Sequence, residues 1–339
     1  MKSTPSLPLS VAVIGGGFGR FHIGGILSEP DRFALKAFCD QNPAVVEEIA
    51  RQFSLPPSCA VRADYHAVLD DPAIDAVVVS LPHHLHETAC VEAAERGKHI
   101  LLDKPIARTV DEADRIIEAA RRNSVTLMIG HQMRFYPLFR KMHDLIASRA
   151  LGRPIYAETC HHQKFYYTTA SNWRVKASTG GGCVIGSGIH NIDLMRWFFG
   201  EPAEVFALGV HDLARLDGEA AASISIRFQQ GTLVNFTCNW VCHGAMDGYD
   251  WGEWAVFCEK GDISCRRGLT VGREYGKTVE TVDLEKHPCE SIWTHFADCV
   301  VNRTEPLING PDARRSLALV RDIYQSMETG RPVSCGGAR

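Results

Sequence analysis

Residues Val11-Ala-Val-Ile14 form an unbroken apolar run that passes directly into Gly15-Gly-Gly-Phe-Gly19-Arg-Phe-His22 and a helical pattern beyond. A buried strand delivered straight into a glycine turn and a helix start is the opening βα unit of a parallel sheet, with a helix amino terminus free to receive an anion. Gly15 permits the tight turn, and Gly17 lets a pyrophosphate approach the helix end. The spacing departs from G-x-G-x-x-G, because the third glycine arrives one residue early at Gly19 and Arg20 fills its slot. A second apolar run, Ala34 to Cys39, ends at Asp40, 23 residues beyond Gly17. An acid there accepts hydrogen bonds from the adenosine ribose and repels a 2′-phosphate, which favours NAD over NADP. As a plain turn residue Asp40 would only lead into a helix over 43–53; the glycine turn before it favours the binding role.

The alternation continues. Asp75 to Ser80 reads as a buried strand, Leu81-Pro-His-His-Leu-His86 as a loop, and a helix follows to Gly97. His99 to Leu102 is the next strand, and because Pro105 cannot donate to a ladder, Lys104 falls at its carboxyl end. That is the ligand edge of an open parallel sheet. A lysine aimed into a cleft is a candidate acid, base or carbonyl polariser, whereas an isolated one is a solvated charge. Thr109-Val-Asp-Glu112 forms a capping box for a helix closing on Arg121-Arg122-Asn123, and Val125 to Ile129 is a further strand. Residues 1–130 are therefore expected to form a doubly wound parallel sheet, an α/β Rossmann domain.

From Leu151 the texture changes to short β-rich runs at 154–160, 205–210, 222–228, 232–240 and 254–258. In Ala222-Ser-Ile-Ser-Ile-Arg-Phe228, Ile224, Ile226 and Phe228 share one face and the polar residues the other. Residues 131–339 are expected to be an α+β domain with an open, largely antiparallel sheet, its exposed face covered in a homodimer or homotetramer. Between the first strands lie Asn172-Trp-Arg174, then Thr179-Gly-Gly-Gly182, then a helix on which His190, Asp193 and Trp197 share a face while Ile189, Ile192 and Phe199 turn to the core. His161 and His162 sit on a strand whose side chains alternate, so at most one points inward. Ser316 to Gly330 reads as an amphipathic helix, and the chain past Val333 as disordered.

Composition narrows the function. At 339 residues, 45% hydrophobic and 22% charged, the chain has core for two domains. A formal charge of −4 provides no general field for nucleic acid or anionic membrane. The apolar stretch at 76–81 is too short to cross a bilayer, and the amino end lacks a signal-peptide core, so a cytoplasmic protein is expected. Twelve cysteines occur without a C-x-x-C, several of them (Cys39, Cys90, Cys183, Cys258) in apolar surroundings. Cys238, Cys242 and His243 have no matching second group, so no metal centre is expected.

Taken together, these motifs resemble the glucose-fructose oxidoreductase, inositol dehydrogenase and rhizopine-catabolism (Gfo/Idh/MocA) family. The matching stretches are Gly15 to His22, Ser80 to His86, Gly97 to Pro105 (Asp-Lys-Pro where the family has Glu-Lys-Pro), Gly130-His-Gln-Met-Arg134, Trp173-Arg174, Gly180 to Asp193, and Ser326 to Pro332. The resemblance implies an NAD-dependent oxidoreductase acting on a secondary alcohol or ketone of a sugar or cyclitol. It implies that Gly15, Gly17, Phe18 and Gly19 form the pyrophosphate turn, that Asp40 holds the adenosine ribose, and that Ser80, Pro82 and His86 flank the cofactor. Asp103 and Lys104 would face the nicotinamide ribose, with Arg134, Trp173 and Arg174 near the same end. Lys104 and His190 match the two catalytic groups, His190 taking the hydroxyl proton and Lys104 favouring the oxyanion. Gln132, His162, Tyr166 and Asp193 join them as candidate substrate contacts. One departure stands out: inositol-type members carry an acid four residues before the histidine, and this chain has Gly186. An NAD-dependent glycosidase and a non-catalytic NAD-sensing regulator are alternative readings of the same fold.

Overall fold

The computed structural model describes residues 5–164, 172–211, 216–243, 253–266 and 268–336. The chain forms two compact units, residues 1–131 with 290–314, and 132–289 with 315–339. The expected second domain, 131–339, is therefore interrupted: residues 290–314 belong to the first unit.

In the first unit β1 (Leu9–Ile14), α1 (Gly19–Ser28), β2 (Phe33–Cys39), α2 (Pro43–Gln52), β3 (Ala60–Arg62), α3 (His66–Leu69), β4 (Ala76–Val79), α4 (His86–Glu95), β5 (His99–Asp103), α5 (Val110–Arg122) and β6 (Leu127–Gly130) succeed one another. The six strands are all parallel, in the order β3-β2-β1-β4-β5-β6. Order reverses between β1 and β4, so their carboxyl ends open the crevice in which such sheets bind ligands. β4 and β6 are buried along their whole length, as a sheet covered on both faces requires. β3 is three residues long with Val61 and Arg62 exposed, too short and too polar an edge to be seen in the hydropathy. α5 is capped as its sequence predicts: the Thr109 side chain accepts from Glu112 N, with acids in the first turn and Arg121 and Arg122 in the last.

The second unit is built from α6 (Pro137–Ala147), β7 (Pro154–Lys164), α7 (Ile189–Phe199), β8 (Pro202–Val210), β9 (Ala221–Phe228), β10 (Leu233–Cys242), β11 (Trp254–Cys258), β12 (Gly261–Ser264), β13 (Thr270–Arg273) and β14 (Thr278–Thr281). After them come α8 (Ile292–Asn302) of the first unit, α9 (Gly310–Thr329) and β15 (Val333–Ser334). Nine strands pair in the order β14-β13-β12-β11-β7-β10-β9-β8-β15, antiparallel except where β10 lies parallel to β7. β9 alternates as expected, Ile224, Ile226 and Phe228 buried and Ser223, Ser225 and Arg227 exposed. The other face of the sheet is open, with Leu208, Val210, Leu233 and Val241 among its exposed side chains. Val333 and Ser334 pair with Val205 and Glu204, so the tail is ordered through Ser334, because the free edge of β8 offers it a ladder. No helix among the described residues is long and apolar enough to cross a membrane.

Candidate functional site

β1 turns through Gly15 at a φ of +93°, and a Cβ there would lie 2.2 Å from the Ser80 carbonyl oxygen, so only glycine fits. Gly15 N donates to Cys39 O at 2.8 Å and Gly16 N to Asp40 Oδ2 at 2.7 Å, tying the turn to the end of β2. A Cβ on Gly17 would meet nothing within 4 Å, which leaves open space above the turn. Phe18 precedes α1 without a side-chain cap, so the first N–H groups and the positive end of the dipole are left for an anion. Its ring packs against Phe21 and His22. Arg20, in the slot of the missing glycine, turns aside to pair with Glu48 at 2.9 Å. The second Asp40 oxygen accepts from Asn42 N at 2.8 Å, which fixes the carboxylate beside the turn. A turn closed to side chains, an open space above it and an acid at its flank fit the pyrophosphate and ribose of a dinucleotide.

The next two strands deliver the second group of residues. Ser80, at the end of β4, donates from Oγ to Asp103 Oδ2 at 2.7 Å, and both are buried. Burial pushes the Asp103 carboxyl up, but His22, Ser80 and the Lys104 charge outweigh it and hold the group below its ordinary value. Lys104 is half-buried directly after β5. Pro82, also half-buried, leads the loop into the turn before α4. His86 differs from expectation. It is fully buried, its Nδ1 facing Pro105 O at 2.9 Å and its Nε2 facing Leu81 O at 2.8 Å, so neither nitrogen is left for a cofactor. Burial lowers its pKa although both carbonyls pull it up. It pins the 81–82 loop to the backbone just past Lys104.

In the second unit Arg134 and Asp193 pair with each other. Arg134 Nε and Nη2 donate to the two Asp193 oxygens at 2.7 and 2.6 Å, both residues almost wholly buried, and Ser316 Oγ donates to the same carboxylate at 3.2 Å. The Arg134 guanidinium also lies 5.5 Å from the centre of the Trp197 ring. The pair ties the short turn at Gln132–Phe135 to α7 as a buried ion pair. Gln132 is buried in the short turn that begins the unit. Trp173 and Arg174 share one tight turn, the guanidinium 4.3 Å from the indole centre. Tyr166 lies outside the described residues.

His190 is the second residue of α7, nearly buried and parallel to the His161 ring, at 6.5 Å between centroids and 7° between planes. His161 rather than His162 is thus its neighbour: alternation along β7 sends His162 to the opposite face, where its Nδ1 lies 2.6 Å from Asn239 Nδ2. Gly186 sits under Trp240, and a Cβ there would fall 2.5 Å from the indole. Sequence reasoning passed over Glu219. Its Oε1 accepts from Val184 N at 2.6 Å, at the start of the turn leading into α7, and Tyr324 Oη donates to it at 3.2 Å. Burial raises the Glu219 pKa to about 7. A lone acid in a polar stretch gives no local signal of burial.

Residues 9–131 match the model of an oxidoreductase family with an NAD-binding Rossmann fold, and residues 139–264 match that of the GFO/IDH/MocA C-terminal domain. D-xylose 1-dehydrogenase (NADP(+)) 2 of Haloferax volcanii is 30% identical over 310 residues, spanning 88% of this chain and 90% of its own. This chain belongs to the Gfo/Idh/MocA oxidoreductase family. Within the family, 1,5-anhydro-D-fructose reductase of Ensifer adhaerens is 28% identical over 78% of this chain and 80% of its own. The fold is that of levoglucosan dehydrogenase in complex with NADH, with a TM-score of 0.85 at 22% identity over 97% of this chain and 100% of that one. Family membership makes the chain an NAD(P)-dependent dehydrogenase or reductase, and it agrees with the dinucleotide cradle after β1.

Proposed function

We propose that this protein is an NAD-dependent oxidoreductase that moves a hydride to or from the secondary alcohol or ketone carbon of a sugar or cyclitol. The observation carrying the proposal is the crevice at the β1/β4 reversal, where β5 brings Asp103 and Lys104 to the ligand edge. Relatives named for sugars and sugar derivatives support the substrate class. Bound nicotinamide supplies the hydride chemistry. Gly15, Gly17, Phe18 and Gly19 bind the pyrophosphate, Asp40 the adenosine ribose, and Ser80 with Pro82 line the crevice. Asp103 orients Lys104, whose ammonium polarises the reacting oxygen and favours its anionic form. His190 takes the hydroxyl proton in oxidation and returns it in reduction. Asp40 favours NAD over NADP, and the open face of the nine-stranded sheet is covered in a homodimer or homotetramer.

The test is a screen of sugars and cyclitols with NAD and with NADP, following absorbance of the reduced cofactor. On the substrate so found, Lys104→Met and His190→Ala lose turnover by about 10²-fold or more while NAD affinity holds. Near-normal turnover in both variants overturns the residue roles, and a wild type without turnover on any sugar or cyclitol overturns the substrate class.

A further inference from the structure

α7 begins without a side-chain cap, and the stretch leading into it, Val184–Gly188, is a single turn of π-helix. Turns of that kind are rare and recur at functional sites. The start of α7 is held instead from the parallel pair of β7 and β10. On the β10 side the Gly188 backbone is backed against Phe236, where a Cβ would fall 3.2 Å from the ring. On the β7 side Asn191, wholly buried, donates from Nδ2 to Thr159 Oγ1 at 3.0 Å, and its oxygen accepts from His161 Nδ1 at 3.0 Å. Thr159 is the ladder partner of Phe236, and His161 that of Cys238.

A buried amide costs stability unless both of its ends are paired, and both ends of Asn191 are. Its neighbours on α7, Ile189, Ile192 and Leu194, are apolar and buried. Apolar burial is non-directional and selects no one rotation of a helix about its axis, whereas hydrogen bonds of fixed length and angle do. Asn191 follows His190 directly on α7, so the rotation it selects also aims His190. Through His161 it holds a second element, because that ring lies parallel to the His190 ring at 6.5 Å between centroids.

We propose that Asn191 is a positioning residue, whose amide locks α7 and the His161 ring in the arrangement that aims the His190 imidazole at the reacting hydroxyl. This inference rests on the dehydrogenase reading above. It deepens that reading by making the proton transfer depend on a side chain with no exposed surface, which acts through the helix rather than on the substrate. A displacement of about 1 Å is enough to cost about 10²-fold in rate.

The experiment compares wild type, Thr159→Val, Asn191→Leu and the double variant on the substrate from the screen, with single-turnover rates of cofactor reduction, KM, NAD affinity and thermal unfolding all measured. Asn191→Leu slows the single turnover about 10²-fold and Thr159→Val a few-fold, while KM and NAD affinity change little. The double variant puts two apolar side chains where the hydrogen bond was, so it regains part of the stability lost by Asn191→Leu. Its turnover stays as low as that of Asn191→Leu, because the directional contact is still missing. Turnover that recovers together with stability makes Asn191 a stability element only and overturns the inference alone. A rise in KM at unchanged turnover overturns it too, as do losses that multiply in the double variant, since Asn191 and Thr159 then act separately. If Asn191→Leu does not fold, Thr159→Val decides the matter: a few-fold loss of turnover at constant KM supports the proposal and wild-type turnover overturns it. A wild type inactive on all sugars and cyclitols overturns the dehydrogenase reading, and this inference with it.

Discussion

Trp293 Nε1 donates to His22 Nδ1 at 3.2 Å, joining α8 to the helix that follows the glycine turn. An indole N–H only donates, so His22 Nδ1 accepts and the ring proton is on Nε2, which faces Asp103 Oδ1 at 3.8 Å. The indole also lies across Phe21 at 4.9 Å and over Gly25, where a Cβ would fall 2.2 Å from it. A residue 271 positions downstream thereby sets the proton that His22 presents to the residue before Lys104. Trp293→Phe keeps the ring and removes the donor. In nitrogen NMR the His22 tautomer should become mixed, and NAD should bind a few-fold more weakly, the loss of one neutral hydrogen bond. An unchanged Nε2–H signal in the variant would show that the indole does not set it.

The Arg134 and Asp193 pair is a stability element. Removing one partner leaves the other charge buried, so Arg134→Met should cost about 3–5 kcal/mol in denaturant unfolding. Arg134→Met with Asp193→Leu should recover a large part of that loss, because no lone charge is left. A double variant as unstable as the single one would mean that the pair acts through packing alone.

Much of the first unit was legible because its signals are local. A strand running into glycines needs only its own residues to be recognised, and β1, β4, β5 and β6 are each short apolar runs bounded by turns. The same locality explains what was missed. The side chains of His86 and Arg134 reach partners 19 and 59 residues away, Pro105 and Asp193. Nothing in a one-dimensional reading shows such pairings. His161 and His162 were separable by alternation, but alternation does not say which face is covered; only α7 lying on one side does. Residues 290–314 join the first unit through Trp293, Gly25 and Glu29, contacts with no sequence signature.

Asp40 already accepts two backbone N–H groups, from Gly16 and Asn42, so its charge is held at the flank of the turn. Asp40→Ser removes the repulsion of a 2′-phosphate together with acceptors for the ribose. NAD affinity should fall about tenfold and the NAD-to-NADP ratio should drop further, read by titrating the fluorescence of the reduced cofactors. A ratio equal to that of wild type would remove Asp40 from cofactor choice.

Gly186→Asp would place an acid four residues before His190, but the indole of Trp240 occupies the space. The variant should lose at least about 1–3 kcal/mol from overpacking, with a further cost for the buried carboxylate. Adding Trp240→Ala to it should relieve the overpacking component in thermal unfolding. A stable, fully active Gly186→Asp single variant would contradict the packing described for this turn.

Glu219 makes the turn before α7 sensitive to pH. Its carboxyl lies against Val184 N and the Tyr324 hydroxyl, and burial raises its pKa from an ordinary 4.5 to about 7. Between these values the folded protein holds a proton that the unfolded chain releases. The contribution to stability is therefore fully present below about pH 4.5, declines as pH rises, and is lost above about pH 7. A shift of this size corresponds to roughly 2–4 kcal/mol. Glu219→Gln keeps an oxygen for Val184 N and cannot ionise, so the difference in unfolding free energy between variant and wild type should grow in the variant's favour from about pH 5 to pH 7 and then level off. Ionisation at high pH removes no acceptor from Val184 N, so the change reports the cost of a buried charge rather than a broken cap. A difference constant across that range would place the Glu219 pKa at its ordinary value and end the argument.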